Sequence, residues 1–276
     1  MSLITITSDF GSGGEKIAQE VAKELRFELF DDHKIHEIAA SKGLSSDELD
    51  GLDEKAPNLF DQLFSTKPAK YMNILGSIVY DISSQGEGVI IGHGAQIFLR
   101  DFSCALHILI HASEKTRSEK LAQEQNLSID KAVKLIHKMD KQVKNFIQYN
   151  FHRDWKDPSA YDLVFNLDNL GEVWATKLIV ELAKSNEIKT CSEKAKQEME
   201  LASLKYRVEA VLVENNLKTS TVNTIIVEVP ARGKVHLTGW ISSDTEKERL
   251  IEVAKKVPEV SEVISDVYVM PASYED

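Results

Sequence analysis

The chain has 276 residues, of which 42% are hydrophobic and 28% charged, and its formal net charge is −11. This length and composition predict two globular domains with hydrophobic cores, and the acidic charge argues against general nucleic-acid binding, so we expect no nucleic-acid partner. No apolar run approaches the roughly 20 residues that span a bilayer, and the first residues enter a strand without the pattern of an export signal. Cys104 and Cys191 are the two cysteines. They lack metal-ligand spacing, so we expect neither a disulfide nor a zinc site, and a reducing cytoplasm.

Short apolar runs alternate with amphipathic stretches in the first two thirds of the chain. The runs predict strands, and the stretches between them have apolar residues at helical spacing. Such alternation is typical of an α/β domain with a mainly parallel sheet and helices on both faces. An acidic, irregular stretch at 44–66 interrupts it after a helix stop at Gly43, and we interpret this stretch as a mobile cover. The predicted strands are 3–7, 27–30, 89–91, 105–110 and 161–166, and the predicted helices begin near 14, 35, 68, 113, 128 and 173.

The last third of the chain has a different order of elements. Residues 184–198 are polar and rich in lysine and glutamate, which indicates a linker or an exposed helix. The pattern that follows predicts a small α+β unit of the order αββαβ. This unit has too few convergent reactive groups for catalysis. Its predicted elements are a helix at 201–212, strands at 224–229 and 235–240, a charged helix ending near 257, and a strand at 263–269.

The glycine-rich turn between the first strand and the first helix is the main candidate for a binding site. Small residues there leave backbone N–H groups uncovered at the positive end of a helix, which favours a phosphate. Two known motifs are incomplete. The dinucleotide fingerprint requires a small residue where Lys16 stands, and the P-loop motif fails at Ser8, Gly14 and Glu15. A tight turn without a ligand remains an alternative.

Four segments in this order resemble the cytidylate kinase-like family, a branch of the P-loop nucleoside monophosphate kinases. They are Phe10-Gly11-Ser12-Gly13-Gly14, Gly92-His93-Gly94-Ala95, Asp140-Lys141, and the stretch from Trp155 through Asp157-Pro158-Ser159 to Leu163. The resemblance covers about residues 1–185. It implies a P-loop kinase fold and transfer of phosphate from ATP, with Mg²⁺, to a nucleotide or related acceptor.

The resemblance also implies roles for individual residues. The glycine loop would bind the phosphates of ATP, through Gly11, Ser12, Gly13, Gly14 and Lys16. Basic residues of a lid would stabilise the transferring group, namely Arg117, Lys141, Lys144 and Arg153. The acceptor would lie against Asp32 and His93, and no residue is assigned to a metal. The alternatives are an exposed lysine face for 138–144, helix capping by Asp31 and Asp32, and a turn-filling role for His93.

The sequence departs from the family at four positions. Members usually carry arginine where Ser8, Glu15, His93 and Val143 stand here. Loss of arginine removes bidentate recognition of phosphate, and Glu15 would repel a phosphate nearby. We therefore weigh two functions: an ATP-dependent phosphotransferase, and a weakly active or inactive nucleotide-binding sensor or scaffold that acts through its second domain.

The second domain resembles a BON domain over about residues 200–271. The resemblance depends on Gly233-Lys234-Val235-His236-Leu237-Thr238-Gly239 and on Val260-Ser261-Glu262-Val263. It implies an interaction module for a membrane surface, another protein or a second copy of the chain, and an exposed Trp240 could serve as an anchor. The predicted organisation is a nucleotide-binding domain at 1–185, a linker at 186–199 and a BON-like domain at 200–276.

Overall fold

A computed structural model describes residues 3–41, 68–188, 190–218 and 223–270. The predicted cover at 44–66 and the helix stop at Gly43 lie outside these residues. The chain divides into two compact units: unit 1 contains the described residues of 1–60 and 85–196, and unit 2 those of 61–84 and 197–276. Within the described ranges, no helix combines the length and apolarity needed to cross a membrane.

The described elements follow the predicted order. Along the chain they are β1 (Leu3–Ser8), α1 (Gly14–Leu25), β2 (Leu29–Phe30), α2 (Asp32–Ser41), α3 (Pro68–Ser83), β3 (Gly88–Ile91), α4 (Ala95–Phe98), β4 (Ala105–His111), α5 (Glu114–Gln125), α6 (Ile129–Phe151), a 3₁₀ turn (Pro158–Ala160), β5 (Leu163–Asn166), α7 (Leu167–Lys184), α8 (Glu193–Glu214), β6 (Thr224–Ala231), β7 (Lys234–Ile241), α9 (Asp244–Lys255) and β8 (Glu262–Val269).

Unit 1 is built on a five-stranded parallel sheet in the order β2-β3-β1-β4-β5. Strand β1 lies at its centre, where Ile4 pairs with Val89 on one side and with Leu106 on the other. Alternate residues of a strand face opposite sides of the sheet. Leu3 and Ile4 are both 0% exposed, so both faces of β1 are covered. This confirms the predicted α/β sheet.

Two elements of unit 1 differ in length from the prediction. Strand β2 contains only Leu29–Phe30 because Arg26 closes α1 in a left-handed conformation and the Phe27 amide donates to the Ala22 carbonyl, at 2.9 Å. Helix α7 begins before the predicted residue 173 and contains a break at Gly171, where φ is 69° and ψ is 163°.

The two cysteines form a disulfide within unit 1, with their Cα atoms 4.9 Å apart. The expectation of no disulfide is therefore wrong. Cys104 precedes β4 and Cys191 precedes α8, and the two are separated by 87 positions. Sequence spacing does not reveal a contact of this kind, because only the fold brings the two segments together. The pairing removes the cysteine argument for a reducing compartment, and the cytoplasmic location remains a prediction.

Unit 2 contains the predicted αββαβ arrangement. Its sheet has the order β6-β7-β8, with β6 antiparallel and β8 parallel to β7. Helices α8 and α9 contribute Leu204, Val208 and Leu250 to one core with the inner residues of the strands.

Helix α3 also belongs to unit 2. The Ser203 hydroxyl of α8 donates to the Ser77 carbonyl at 3.0 Å and contacts the Asp81 carboxylate. The rings of Tyr80 and Tyr206 lie 5.7 Å apart. Unit 2 is therefore assembled from two separate stretches of chain.

Candidate functional site

The glycine loop follows β1 at the centre of the sheet of unit 1. The Asp9 amide donates to the Ile110 carbonyl at 2.9 Å, which ties the start of the loop to β4. Gly13 has a φ of 100°, a left-handed conformation that favours glycine. Gly14 is restricted by space instead, because a Cβ there would overlap the Ser8 side chain. The loop therefore needs small residues to place α1 directly above the end of β1.

A cavity of about 560 Å³ opens beside this loop. Its wall is formed by the ends of β1 and β3, the first turns of α1 and α2, and parts of α5 and α6. In a parallel sheet, ligands bind outside the carboxyl ends of the strands, and the cavity has this location. Of the predicted loop residues, Gly11, Gly13, Gly14 and Lys16 line the cavity.

Ser12 is the predicted loop residue that does not line the cavity. It is only 4% exposed, and its hydroxyl has no hydrogen-bond partner among the described residues. A buried hydroxyl without a partner is costly. The Ser12 carbonyl, in contrast, accepts a hydrogen bond from the Lys120 ammonium at 3.4 Å. Ser12 therefore connects the loop to α5 through its backbone.

Two lysines and one glutamate meet beside the loop. The Glu172 carboxylate of α7 lies 2.9 Å from the Lys16 ammonium and also accepts a hydrogen bond from Lys120. Burial opposes the charged form of Glu172, but the hydrogen bonds from Lys120 and Lys16 outweigh this and lower its pKa. The hydrogen bond to Glu172 raises the pKa of Lys16. Both shifts favour the charged forms of Glu172 and Lys16.

The predicted site did not include Lys120 or Glu172. Lys120 lies three residues after Arg117 on α5, so the two side chains share a helix face. This spacing could have indicated that Lys120 belongs to the site. Glu172 gives no local signal, since its partners lie far away along the chain.

A second carboxylate, that of Asp9, lies inside the loop and is buried. Its side chain is 0% exposed and contacts His111 Nδ1 at 2.5 Å and the Lys156 ammonium at 2.9 Å. The Ala112 amide donates to the same carboxylate at 3.4 Å. The prediction missed this cluster, although Asp9 and His111 end neighbouring parallel strands and that position could have indicated their contact.

Arg117, predicted as a clamp on the transferring group, is 5% exposed. Its two terminal nitrogens each donate to one oxygen of Asp140 at 2.9 Å, and Nη1 also donates to the Phe10 carbonyl at 3.2 Å. A bidentate pair of this kind fixes geometry as well as charge. Arg117 therefore connects the loop to α6.

The other predicted lid residues, Lys141, Lys144 and Arg153, are exposed and are not among the residues that line the cavity. Their position on the surface of α6 and beyond it also suits the alternative of an ordinary solvated helix face.

The structure brings Asp32 and His93 together. His93 Nε2 lies 2.8 Å from an Asp32 carboxylate oxygen, and His93 is 1% exposed. Asp32 lines the cavity. The neighbouring Asp31 accepts a hydrogen bond from the Lys34 amide at 3.0 Å, as expected of a helix cap.

The residues around the cavity fit a magnesium ion whose ligands come mainly from the phosphates of a nucleotide. Among the described residues, no group of three or more histidine, cysteine or acidic side chains is arranged for a metal. Magnesium bound to nucleotide phosphates needs only one or two carboxylates from the protein. Glu15, Asp31 and Asp32 all line the cavity and could supply them. The glycine loop and Lys16 could hold the phosphates.

Comparison with known proteins agrees with this geometry. The profile of the cytidylate kinase-like family matches residues 3–169, and that of the BON domain matches residues 201–271. A protein named cytidylate kinase from Sulfurisphaera tokodaii is 27% identical over 180 residues, which cover 64% of this chain and 92% of that protein. The crystal structure of an uncharacterized protein from Eubacterium ventriosum shares the fold of 67% of this chain and 99% of its own, with 21% identity and a TM-score of 0.55.

The family match covers more than half of the chain and includes the glycine loop, the His93 turn and Asp140. The strand order, the loop and the cavity at the end of β1 agree with it. The chain therefore belongs to the cytidylate kinase-like family, with a P-loop kinase fold followed by a C-terminal BON domain.

Proposed function

We propose that this protein binds ATP with Mg²⁺ in the cavity of unit 1 and transfers its terminal phosphate to a nucleoside monophosphate or a related acceptor. The observation that carries the proposal is the cavity itself, in which a glycine loop, the N-terminus of α1 and two lysines meet at the end of the central strand. Family membership supports the same reaction class.

Each part of the cavity has a chemical role in this proposal. Backbone N–H groups of Gly11, Gly13 and Gly14 donate to the phosphates of the donor, where the dipole of α1 favours negative charge. Lys16 and Lys120 neutralise charge that shifts during transfer. The Asp32–His93 pair lies on the α2 side of the cavity, where its carboxylate can orient a hydroxyl or amino group of the acceptor.

A coupled phosphotransfer assay with Mg-ATP and a panel of nucleoside monophosphates tests the proposal. The panel includes cytidine monophosphate, because the Sulfurisphaera tokodaii relative is named a cytidylate kinase. Turnover of one acceptor should fall by at least about tenfold in Lys120→Met, since one charge next to the loop is lost. Lys115→Met changes an exposed lysine of the same helix and should retain activity. Absence of turnover with every acceptor would exclude the enzyme.

A second function is a nucleotide-responsive sensor or scaffold with little or no catalysis. It is favoured by the engagement of Arg117 with Asp140 and by the exposure of Lys141, Lys144 and Arg153 away from the cavity. Calorimetry separates the two functions. Binding of Mg-ATP without turnover supports the sensor, whereas the absence of both leaves a scaffold.

We propose that the BON domain of unit 2 binds a partner through the outer face of its sheet. Ile226, Trp240, Ile264 and Tyr268 on this face are between 44% and 63% exposed, and the rings of Trp240 and Tyr268 lie 5.4 Å apart. Exposed aromatic residues of this kind often mark interaction sites. Vesicle sedimentation, capture of proteins and light scattering distinguish a membrane surface, another protein and a second copy, and Trp240→Ser should weaken the interaction.

We also propose a cytoplasmic location, where ATP is available as the donor. Cell fractionation tests it, and recovery of the protein in a periplasmic fraction would overturn it.

A further inference from the structure

The carboxylate of Glu172 lies directly against the glycine loop. A Cβ added at Gly13 would meet both a Glu172 oxygen and the Lys120 ammonium. Lys16 and Lys120 both pair with this carboxylate, and only about a quarter of the Glu172 side chain is exposed. Two lysines beside the loop therefore already hold an anion that the protein itself supplies.

The backbone of α7 brings Glu172 to this point. Helix α7 breaks at Gly171, whose φ of 69° and ψ of 163° are not helical, and resumes at Glu172. A Cβ at Gly171 would meet no atom within 4 Å. The backbone conformation, and not space, therefore favours glycine there. Beyond the break, Ala175 and Ile179 are completely buried in the core of unit 1, which anchors the helix below Glu172.

The charge of this cluster matches what a bound phosphate requires. A phosphate held by backbone N–H groups at the start of α1 needs cations beside it. Lys16 belongs to the first turns of α1, and Lys120 reaches the carbonyl of Ser12 inside the loop at 3.4 Å. Both ammonium groups are therefore within the reach of a group bound at Gly13, where the Glu172 carboxylate now lies.

We propose that Glu172 is a specificity-determining residue that competes with the donor phosphate for Lys16 and Lys120. This inference rests on the proposed nucleotide site. When a nucleotide binds, the two lysines exchange the Glu172 carboxylate for phosphate oxygens, and no covalent bond changes. A single carboxylate is displaced more readily by a polyphosphate chain than by one phosphate group. Glu172 therefore lowers the affinity for all phosphates and favours a triphosphate over a monophosphate at the loop.

Calorimetry of the full chain with Mg-ATP tests the exchange. Glu172→Gln removes the competing charge with little change in shape, and we expect it to bind Mg-ATP about five- to tenfold more tightly than the unchanged protein. Inorganic phosphate should gain more than Mg-ATP does, so that the selectivity for the triphosphate falls. Glu181→Gln changes an exposed glutamate of the same helix and should leave both affinities as they are.

Three outcomes are informative. If Glu172→Gln no longer strengthens Mg-ATP binding when it is added to Lys120→Met, the exchange is supported, because the gain then depends on the released lysine. Binding by the unchanged protein with no gain in Glu172→Gln overturns the inference and leaves the nucleotide site intact. Absence of Mg-ATP binding in all variants, in chains with unchanged circular dichroism, overturns the proposed nucleotide site and this inference with it.

Discussion

Reduction of the Cys104–Cys191 disulfide is expected to destabilise unit 1 without unfolding it. The bond links positions 87 residues apart, and closing a loop of that length in the unfolded chain contributes about 4.5 kcal/mol in the chain-entropy account. Measured effects of disulfides are typically about 2–4 kcal/mol, and we expect a loss in that range. Both cysteines are buried, and thiols tolerate burial, so the folded state keeps its packing.

Urea unfolding with and without a phosphine reductant measures this loss. Trp155 and Trp174 belong to unit 1, so fluorescence in a Trp240→Phe background reports that unit alone. Combined replacement of Cys104 and Cys191 by alanine provides the control. Its unfolding midpoint should match that of the reduced protein and should not respond to the reductant.

Two results would refute the reasoning. Titration of two free thiols in the unreduced, denatured chain would show that the bond does not form. If the bond is present but the midpoint of unit 1 is the same with and without reductant, the loop-closure account of its stability is wrong.

The remaining predictions concern buried polar groups and the loop. Asp140→Asn should lower the free energy of unfolding by about 2–3 kcal/mol, because the buried Arg117 loses its charged acceptor; a urea midpoint that does not move would contradict this. Burial lowers the pKa of His107 by more than Asp162 raises it. As the pH falls, His107 is therefore protonated in the unfolded chain before it is protonated in the folded chain. Stability should therefore fall as the pH drops below about 6.5, and less so in His107→Asn; equal pH dependence in urea titrations would oppose this. Gly14→Ala should lower the free energy of unfolding by about 1–3 kcal/mol, because the added methyl overlaps the Ser8 side chain. Adding Ser8→Gly should recover this stability.

Local patterns in the sequence predicted most of the elements. Alternating apolar residues located β1. Two helices were predicted to begin near residues 113 and 128, and Ser113 and Ser128 each accept a backbone hydrogen bond at the start of these helices. These signals depend on neighbours in sequence, so they are visible without the fold. The predicted strand at 27–30 is longer than β2, because the Phe27 amide takes part in the hydrogen bonding that ends α1.

The candidate site was predicted less completely than the fold. The glycine loop is continuous in sequence and could therefore be predicted as a candidate. The resemblance supplied Asp32 and His93 as candidates, and of these two Asp32 lines the cavity. Glu172 was missed because its lysine partner on α5 lies 52 positions earlier, and Asp9 was missed because its histidine partner lies 102 positions later. Contacts at such distances are created by the strand order and not by local spacing.

Helix α3 has a consequence for synthesis on the ribosome. The Ser77 carbonyl of α3 receives its hydrogen bond from Ser203, 126 positions later in the chain. At about 5–20 residues per second, the ribosome needs roughly 6 to 25 s to produce that partner. Over this interval α3, which contains the apolar residues Leu75, Ile78 and Val79, lacks Ser203 and Tyr206, which it contacts in the finished protein. The first two hundred residues should therefore engage chaperones that hold apolar segments, and release from them should follow the synthesis of α8.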